Sequence, residues 1–415
     1  MLPSLMLLAS LSGAHAADWF TIAATEEGRP DEPVKLFGFV QPQVEWIPGG
    51  AVEGLEAEAL QPFEGTRPRF NLAYGRSPFT FALHRARLGA RGSIPKTDQR
   101  VSYYLLAEAG EVSITRASPV VVTDMSVTVS YVPGARVRVG QFKLPVMEEI
   151  VQGVASSLEF VHFSNTLQKL MLENPIEGGA YTGGSYGFRD VGVQVFDGGQ
   201  WGSVAASYAV MASNGAGMHV VDTDEGKDLS ARGEVAWVTD GERHQGRREE
   251  VKVGGWWLQG PRTIDDLDVQ RVRRGAFLHV EQGWGWALVE VAQGEGALET
   301  GFAPPFSGGA VTVAPEGVGW GLVAQGGVRF PLGEQGPQLG LKARFDQYHQ
   351  QIETPEALRR FRTVSAGVEL NPAPAFRVLA TWEMRSLAAP EGSADAQAIA
   401  ASMADRLDLQ LTARF

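Results

Sequence analysis

The chain contains no cysteine. That excludes disulfides, thiolate-held metals and a cysteine nucleophile, and it fits a periplasm-exposed protein. Long apolar runs are also missing. Beyond the N-terminus no segment approaches about 18 unbroken apolar residues, so the sequence offers no membrane-spanning helix. There is no basic excess either: 36 Lys and Arg stand against 48 Asp and Glu, a formal charge of −12. Such acidity argues against a general nucleic-acid binder, which needs a basic surface. Catalytic motifs are absent as well. His84, His162, His219, His244, His279 and His349 fall into neither HExxH nor another metal-ligand spacing. No serine has a nucleophile-elbow context. "GSYG" and "SNGAG" are glycine-rich but do not join a strand to a helix, as a phosphate cradle would. "DTDEGKD" (222–228) has roughly a calcium-loop rhythm without the terminal Glu, and reads best as a solvated acidic turn. Nothing nominates an active site, a metal or a cofactor, and the chain is read as a non-enzyme.

What is present begins with an export pattern. "MLPSLMLLASLSGAHA" carries a short apolar core at Leu5–Leu11 and ends in Ala14-His15-Ala16, a small-x-small cleavage site. Residues 1–16 are expected to be a signal peptide and 17–33 a polar periplasmic lead. Residues 34–415 are expected to form one domain.

That domain alternates. In "FALHRARLGARGSI" (81–94), Arg85, Arg87 and Arg91 share one parity while Ala82, Ala86, Leu88, Ala90 and Ile94 share the other. A period of two means a strand with two unlike faces. The same rhythm predicts sixteen strands, near 34–46, 80–94, 100–110, 121–132, 135–143, 189–197, 200–211, 229–238, 251–259, 271–282, 284–293, 318–330, 338–348, 361–370, 375–385 and 405–415. Long connections (47–79, 144–188, 260–270, 294–317 and others) take turns with short ones such as "PKTDQ", "PG" at 133–134, "GG" at 198–199 and "NPAP" at 371–374. The connection at 239–250 breaks the rule. Long and short loops at opposite ends of an up-and-down meander describe a transmembrane antiparallel β-barrel with an even number of strands. Trp46, Tyr131, Trp201, Trp257, Trp320, Trp382 and Phe415 fall on the outward parity, as interface aromatics do. A secreted β-sandwich or propeller would alternate too, but would lack the loop asymmetry.

In such a barrel the apolar parity faces lipid. Arg85, Arg87 and Arg91 then face the lumen, because an arginine at the lipid midplane costs roughly 2–4 kcal/mol. "ARVRVGQF" repeats the pattern with Arg136 and Arg138. A row of guanidiniums in a pore attracts anions and offers planar forks to phosphate or carboxylate. The competing reading is that each lumen arginine merely pairs with a facing carboxylate.

Four stretches carry a resemblance: "HRARLGARGSI" (84–94), "VRVGQFKLPVMEE" (137–149), "FRDVGVQVFDG" (188–198) and "SNGAG…DEGKDLSARGE" (213–234). Together they resemble the phosphate-selective porin (porin O and P) family of Gram-negative outer membranes, "VGQFKLP" being the most specific piece. The resemblance implies a sixteen-stranded barrel in the outer membrane, in contact with its lipids and assembled as a homotrimer. It implies passage of inorganic phosphate or other small anions, with no nucleic-acid partner. It also implies a third loop, here 144–188, folded into the lumen as the constriction. Pore-lining roles carry over to Arg85, Arg87, Arg91, Arg136 and Arg138. Lys143 matches the motif, but its parity sets it on the other face unless a bulge or the loop start at Pro145 turns it inward. The loop departs from an anion selector: Lys169 is its one Lys or Arg, while Glu148, Glu149 and Glu159 are among its acids. Carboxylates placed opposite the arginines would resemble a weakly selective general diffusion porin. A plugged structural or adhesive barrel is the rival from another class.

Overall fold

The computed structural model describes residues 34–47, 79–94, 100–110, 120–152, 158–171, 176–177, 180–181, 188–218, 225–239, 248–264, 267–296, 298–301, 312–314, 317–333, 336–350, 358–388, 400–401 and 403–415. The expected signal peptide and lead, and residues 222–224 of the acidic turn, lie outside them. Sixteen strands form one closed antiparallel barrel. They are β1 (Lys35–Trp46), β2 (Phe79–Ser93), β3 (Val101–Ala109), β4 (Val120–Val132), β5 (Ala135–Lys143), β6 (Arg189–Trp201), β7 (Val204–Ser213) and β8 (Asp228–Val238). They continue as β9 (Glu250–Ile264), β10 (Leu267–Gln282), β11 (Gly285–Glu295), β12 (Val318–Pro331), β13 (Gln338–Gln350), β14 (Arg359–Ala373), β15 (Phe376–Ala388) and β16 (Arg406–Arg414). Each pairs with its sequence neighbour, and β1 closes on β16 with Val40 opposite Ala413 and Val44 opposite Leu409. Gly38 and Phe415 exchange both backbone hydrogen bonds, at 3.0 and 3.1 Å, so the last residue is stitched into the seam. Closure matters because an open sheet edge in hydrocarbon leaves N–H and C=O groups without partners.

The two faces sort as the alternation demands. Along β8, Asp228, Ser230, Arg232 and Glu234 are buried inside, while Leu229, Val235 and Trp237 are exposed outside. Tyr131, Trp201, Trp284 and Phe376 lie on the outside beside short turns. They mark one membrane interface. Three of these turns hold a glycine at positive φ, Gly134, Gly202 and Gly283, where a side chain would be strained.

Three expectations need correction. The turn placed at Gly198–Gly199 lies further on. The β6–β7 ladder runs through Gly199 opposite Ala206 to Trp201 opposite Val204, because paired glycines continue a strand when their neighbours hold the register. The expected loop 260–270 is mostly hairpin, with β9 and β10 paired out to Ile264 and Leu267. The third correction concerns β2. Pro42 of β1 has no N–H to donate, and there the register slips, leaving His84 as the extra residue between Gln41–Arg85 and Pro42–Leu83. A bulge of one residue flips parity. Ala82 therefore lies opposite Gln43 on the inner side, not with the lipid-facing residues. Arg85, Arg87 and Arg91 keep the inward face.

The barrel class makes a physical prediction. Overexpressed protein should fractionate with outer membranes and migrate faster unboiled than boiled in mild detergent gels. Recovery as a soluble protein with no heat-shifted band would contradict it.

Candidate functional site: the loop-lined lumen

The chain after β5 turns into the barrel. Leu144 donates its N–H to Phe188 O (2.9 Å), closing the base of the loop. Two short helices follow, α1 (Glu148–Gln152) and α2 (Asn165–Leu170), both buried. Val146, Met147, Ile150, Leu167 and Leu170 form one apolar cluster with Trp256, Leu258, Phe277, Leu288, Ala292 and Tyr348 of the inner wall. An apolar patch inside a barrel is unusual chemistry for a wet wall, and the loop is what covers it. The wall is shaved to receive it. A Cβ on Gly321 of β12 would lie 2.3 Å from Thr166 Oγ1, and one on Gly294 of β11 would lie 2.3 Å from Leu170 Cδ1. These glycines permit close approach of helix α2 to the sheet.

Charged contacts fix the loop's register. Glu148 pairs with Arg232 of β8 and, at 2.8 Å, with Lys252 of β9. Glu290 of β11 accepts from the Glu148 N–H at 3.1 Å, capping α1. Glu149 accepts from Ser164 Oγ at 2.6 Å and lies 3.6 Å from Arg344 of β13. Glu159 bridges Arg329 (2.6 Å) and Lys342 (2.8 Å). Asp346 accepts the Asn165 N–H at the start of α2. Wall arginines also hold loop carbonyls: Arg377 to Leu158 O (2.7 Å), Arg344 to His162 O (2.9 Å) and Arg273 to Leu170 O (3.1 Å). Burial alone would raise the Glu148 carboxyl. Lys252 and Arg232 override it and hold the group well below the usual carboxylate range. A depressed carboxylate stabilises above its unfolded pKa, about 4.3, and loses that contribution only as pH falls through the lower folded value. The Glu148 ion pairs therefore persist through mild acid.

Glu148, Glu149 and Glu159 thus sit in the loop that was expected to carry them, but they do not stand as free carboxylates facing the arginine row. Wall cations of β8, β9, β12 and β13 neutralise them.

The arginines of β2 have divided roles. Arg87 is ion-paired with Glu108 of β3. Arg85 is 2% exposed, donates from Nε to Gln41 at 2.9 Å, and leaves Nη1 buried without a hydrogen-bond partner. Both guanidiniums lie against the Phe39 ring, at 5.9 and 5.5 Å. Arg91 lies 5.9 Å from the Phe37 ring. On β5, Arg136 is 27% exposed and 3.5 Å from Asp197, and Arg138 stacks on Phe196 at 4.7 Å. Lys143 is turned inward at the loop start: its Nζ donates to Ile150 O at 2.9 Å. The alternative that parity left open is the one realised.

Lys252 and Arg329, which hold the loop acids, escaped the sequence reading, and so did a cation of the other wall. Arg189, first in β6, is 1% exposed; its Nε meets Asp124 at 2.8 Å, while Nη1 and Nη2 have no hydrogen-bond partner. Arg189 and Asp190 are both buried at the strand's start, so alternation could not assign Arg189. A second bulge, at Thr123, buries Thr123 and Asp124 together and brings Asp124 to Arg189. Lys143 lies within the electrostatic reach of Arg189, Arg87 and Arg85. Across β2–β6, described cations at these seven positions outnumber Glu108, Asp124, Asp190 and Asp197.

A closed sixteen-stranded barrel with a lipid-facing apolar wall and an inward-folded loop defines the class: an outer-membrane β-barrel of porin architecture. Solved structures bear out that architecture. The Salmonella typhi OmpF complex with daunomycin is similar at TM-score 0.59 and 12% identity, over 92% of this chain and 97% of that one. An anion-selective porin from Comamonas acidovorans is similar at TM-score 0.54 and 13% identity, over 92% and 99%. The outer membrane channel DcaP of Acinetobacter baumannii is similar at 0.51 and 10%, over 92% and 97%. No protein-family model and no curated protein matches the sequence.

Loop docking is testable through Lys169, the single Lys or Arg between Leu144 and Phe188. In folded wild-type protein, trypsin should spare this site. Gly321→Val drives a side chain into Thr166 and should release α2. Mass spectrometry should then find cleavage after Lys169 while the unboiled barrel band persists. Equal resistance in the variant would show that the glycine contact does not hold the loop.

Proposed function

We propose that this chain is a passive outer-membrane channel for small hydrophilic solutes that favours anions, inorganic phosphate among them, and has no enzymatic activity. The observation that carries the reading is the partition of charge inside the barrel. Glu148, Glu149 and Glu159 of the loop are paired with one wall, whereas the described β2–β6 wall keeps a cation excess with buried guanidinium donors left over on Arg85 and Arg189. Fixed cations in a pore set a preference for anions, and arginine forks suit phosphate. The sequence resemblance to phosphate-selective porins and the structural likeness to a protein described as an anion-selective porin both support this reading. Arg85, Arg91, Arg136, Arg138 and Lys143 then line the anion path together with Arg189, and Arg87 braces it. The rival, a general diffusion porin, draws support from the Arg87–Glu108 pair, which removes one charge from the row.

Replacing Arg85 and Arg91 with Gln separates the two. Arg87 is left intact, since breaking its pair would strand a buried carboxylate at about 3–5 kcal/mol. In planar bilayers, reversal potentials under chloride gradients should shift toward cations. Phosphate inhibition of the chloride current should weaken by roughly tenfold if these donors bind phosphate in succession. A slight cationic drift with phosphate insensitivity throughout identifies a general porin. Wild-type selectivity in the double variant would make these arginines structural.

The family resemblance also leads us to propose a homotrimer. Cross-linking and native mass measurement in several mild detergents should show three chains. Monomers throughout would remove the trimer and leave the channel standing.

A further inference from the structure

At the barrel seam three side chains from distant parts of the chain converge. Glu45 comes from β1, Asp408 from β16 and His162 from the constriction loop, and one ligand atom from each lies within 4.8 Å of the others. His162 Nε2 is 3.2 Å from Asp408 Oδ2 and 3.9 Å from Glu45 Oε2. His162 Nε2 is buried and makes no hydrogen bond, and Asp408 Oδ2, fully buried, makes none either and has only ion-pair contacts, to His162 and to Arg406 Nε at 3.3 Å. A buried ring nitrogen aimed at two carboxylates without a hydrogen bond is costly unless a further group satisfies it.

We propose that Glu45, His162 and Asp408 form a binding site for a first-row divalent cation of the Zn²⁺ class, which clamps the constriction loop to the closing seam of the barrel. The donors are one imidazole nitrogen and two carboxylates, a set that suits zinc with an open fourth position. Tetrahedral bonds of about 2.0–2.2 Å place neighbouring ligand atoms about 3.3–3.5 Å apart. The His162–Asp408 separation is already there, and Glu45 needs to close by about half an ångström toward His162.

The surroundings hold the donors as outer-sphere groups do. Gln43 Nε2 donates to Asp408 Oδ1 at 3.1 Å, leaving Oδ2 for the metal. His84, the bulged residue of β2, packs edge-on against the His162 ring at 5.4 Å and fixes its plane. Arg406 is the adverse group, 3.3 Å from Asp408 Oδ2 and 3.8 Å from Glu45. Its own Nη2 is engaged by Glu383 at 2.5 Å. Around the donors, the carboxylates of Glu45, Glu383 and Asp408 face the guanidiniums of Arg344, Arg385 and Arg406. The cation would join the first strand, the last strand and the loop, so its release would loosen the loop at the seam while the apolar cluster holds the far side.

The test uses purified, detergent-folded protein stripped with a chelator and titrated with ZnCl₂ by calorimetry and equilibrium dialysis. The wild type should bind one Zn²⁺ per chain. His162→Gln and Asp408→Asn should each weaken binding at least tenfold, and His349→Gln, at a histidine on another part of the wall, should not. The unboiled gel band certifies folding of each variant. Zn²⁺ should also raise the temperature at which that band converts to the boiled form, in wild type and His349→Gln only, because a ligand bound to the folded state stabilises it. Absence of Zn²⁺ binding by the wild type, or undiminished binding by His162→Gln, overturns the site.

Discussion

The contact between bare sheet backbone at Gly294 and Gly321 and helix α2 is the constraint on which the rest of the lumen depends. Sixteen strands enclose a space that side chains alone do not fill, and here the loop fills part of it. Burying Met147, Ile150, Leu167 and Leu170 against the wall contributes on the order of 6–12 kcal/mol in total, at about 1.5–3 each. The ion pairs at Glu148, Glu149 and Glu159 sit deep enough that desolvation offsets most of their attraction. Apolar packing therefore supplies the net affinity, and the charges select one register for the loop among several apolar ones.

From that register the charge pattern follows. Once Glu148, Glu149 and Glu159 are matched by Arg232, Lys252, Arg344, Arg329 and Lys342, these three carboxylates no longer oppose the cationic wall electrically. In the proposed channel the β2–β6 wall then sets the sign of the field, with Arg85 and Arg189 holding donors in reserve. The same wall carries two bulges, at His84 and Thr123, and both re-aim charged groups. One brings His84 to the seam, and the other brings Asp124 to Arg189.

Much of this architecture is legible in the sequence because alternation is a local property. Asp228, Ser230, Arg232 and Glu234 face in and Leu229, Val235 and Trp237 face out as period two requires, and the long–short loop rhythm predicts sixteen strands. What alternation cannot see is where it slips. Pro42 breaks a ladder bond in β1, yet the consequence appears in β2, at a residue 42 positions later in the chain. Arg189 sits where two successive residues are buried, so no parity rule finds it. The partners of the loop acids are equally hidden: Glu159 meets Lys342 across 183 residues, and Glu45, His162 and Asp408 meet only because the barrel closes. Composition predicts a carboxylate's charge but not which wall it turns to.

The absence of cysteine makes the central claim, a loop docked on one wall with the cationic wall facing the solute path, directly measurable. Single cysteines placed at Arg91 and Arg136 on the cationic wall, and at Ala292 under the loop, provide unique labels in an otherwise thiol-free protein. An anionic, water-soluble thiol reagent is added during bilayer recording. The account predicts rapid modification with loss of current at Arg91→Cys and Arg136→Cys, and no response at Ala292→Cys. Fast reaction at Ala292→Cys, with silence at the other two, would place the water path on the opposite side of the loop and contradict it.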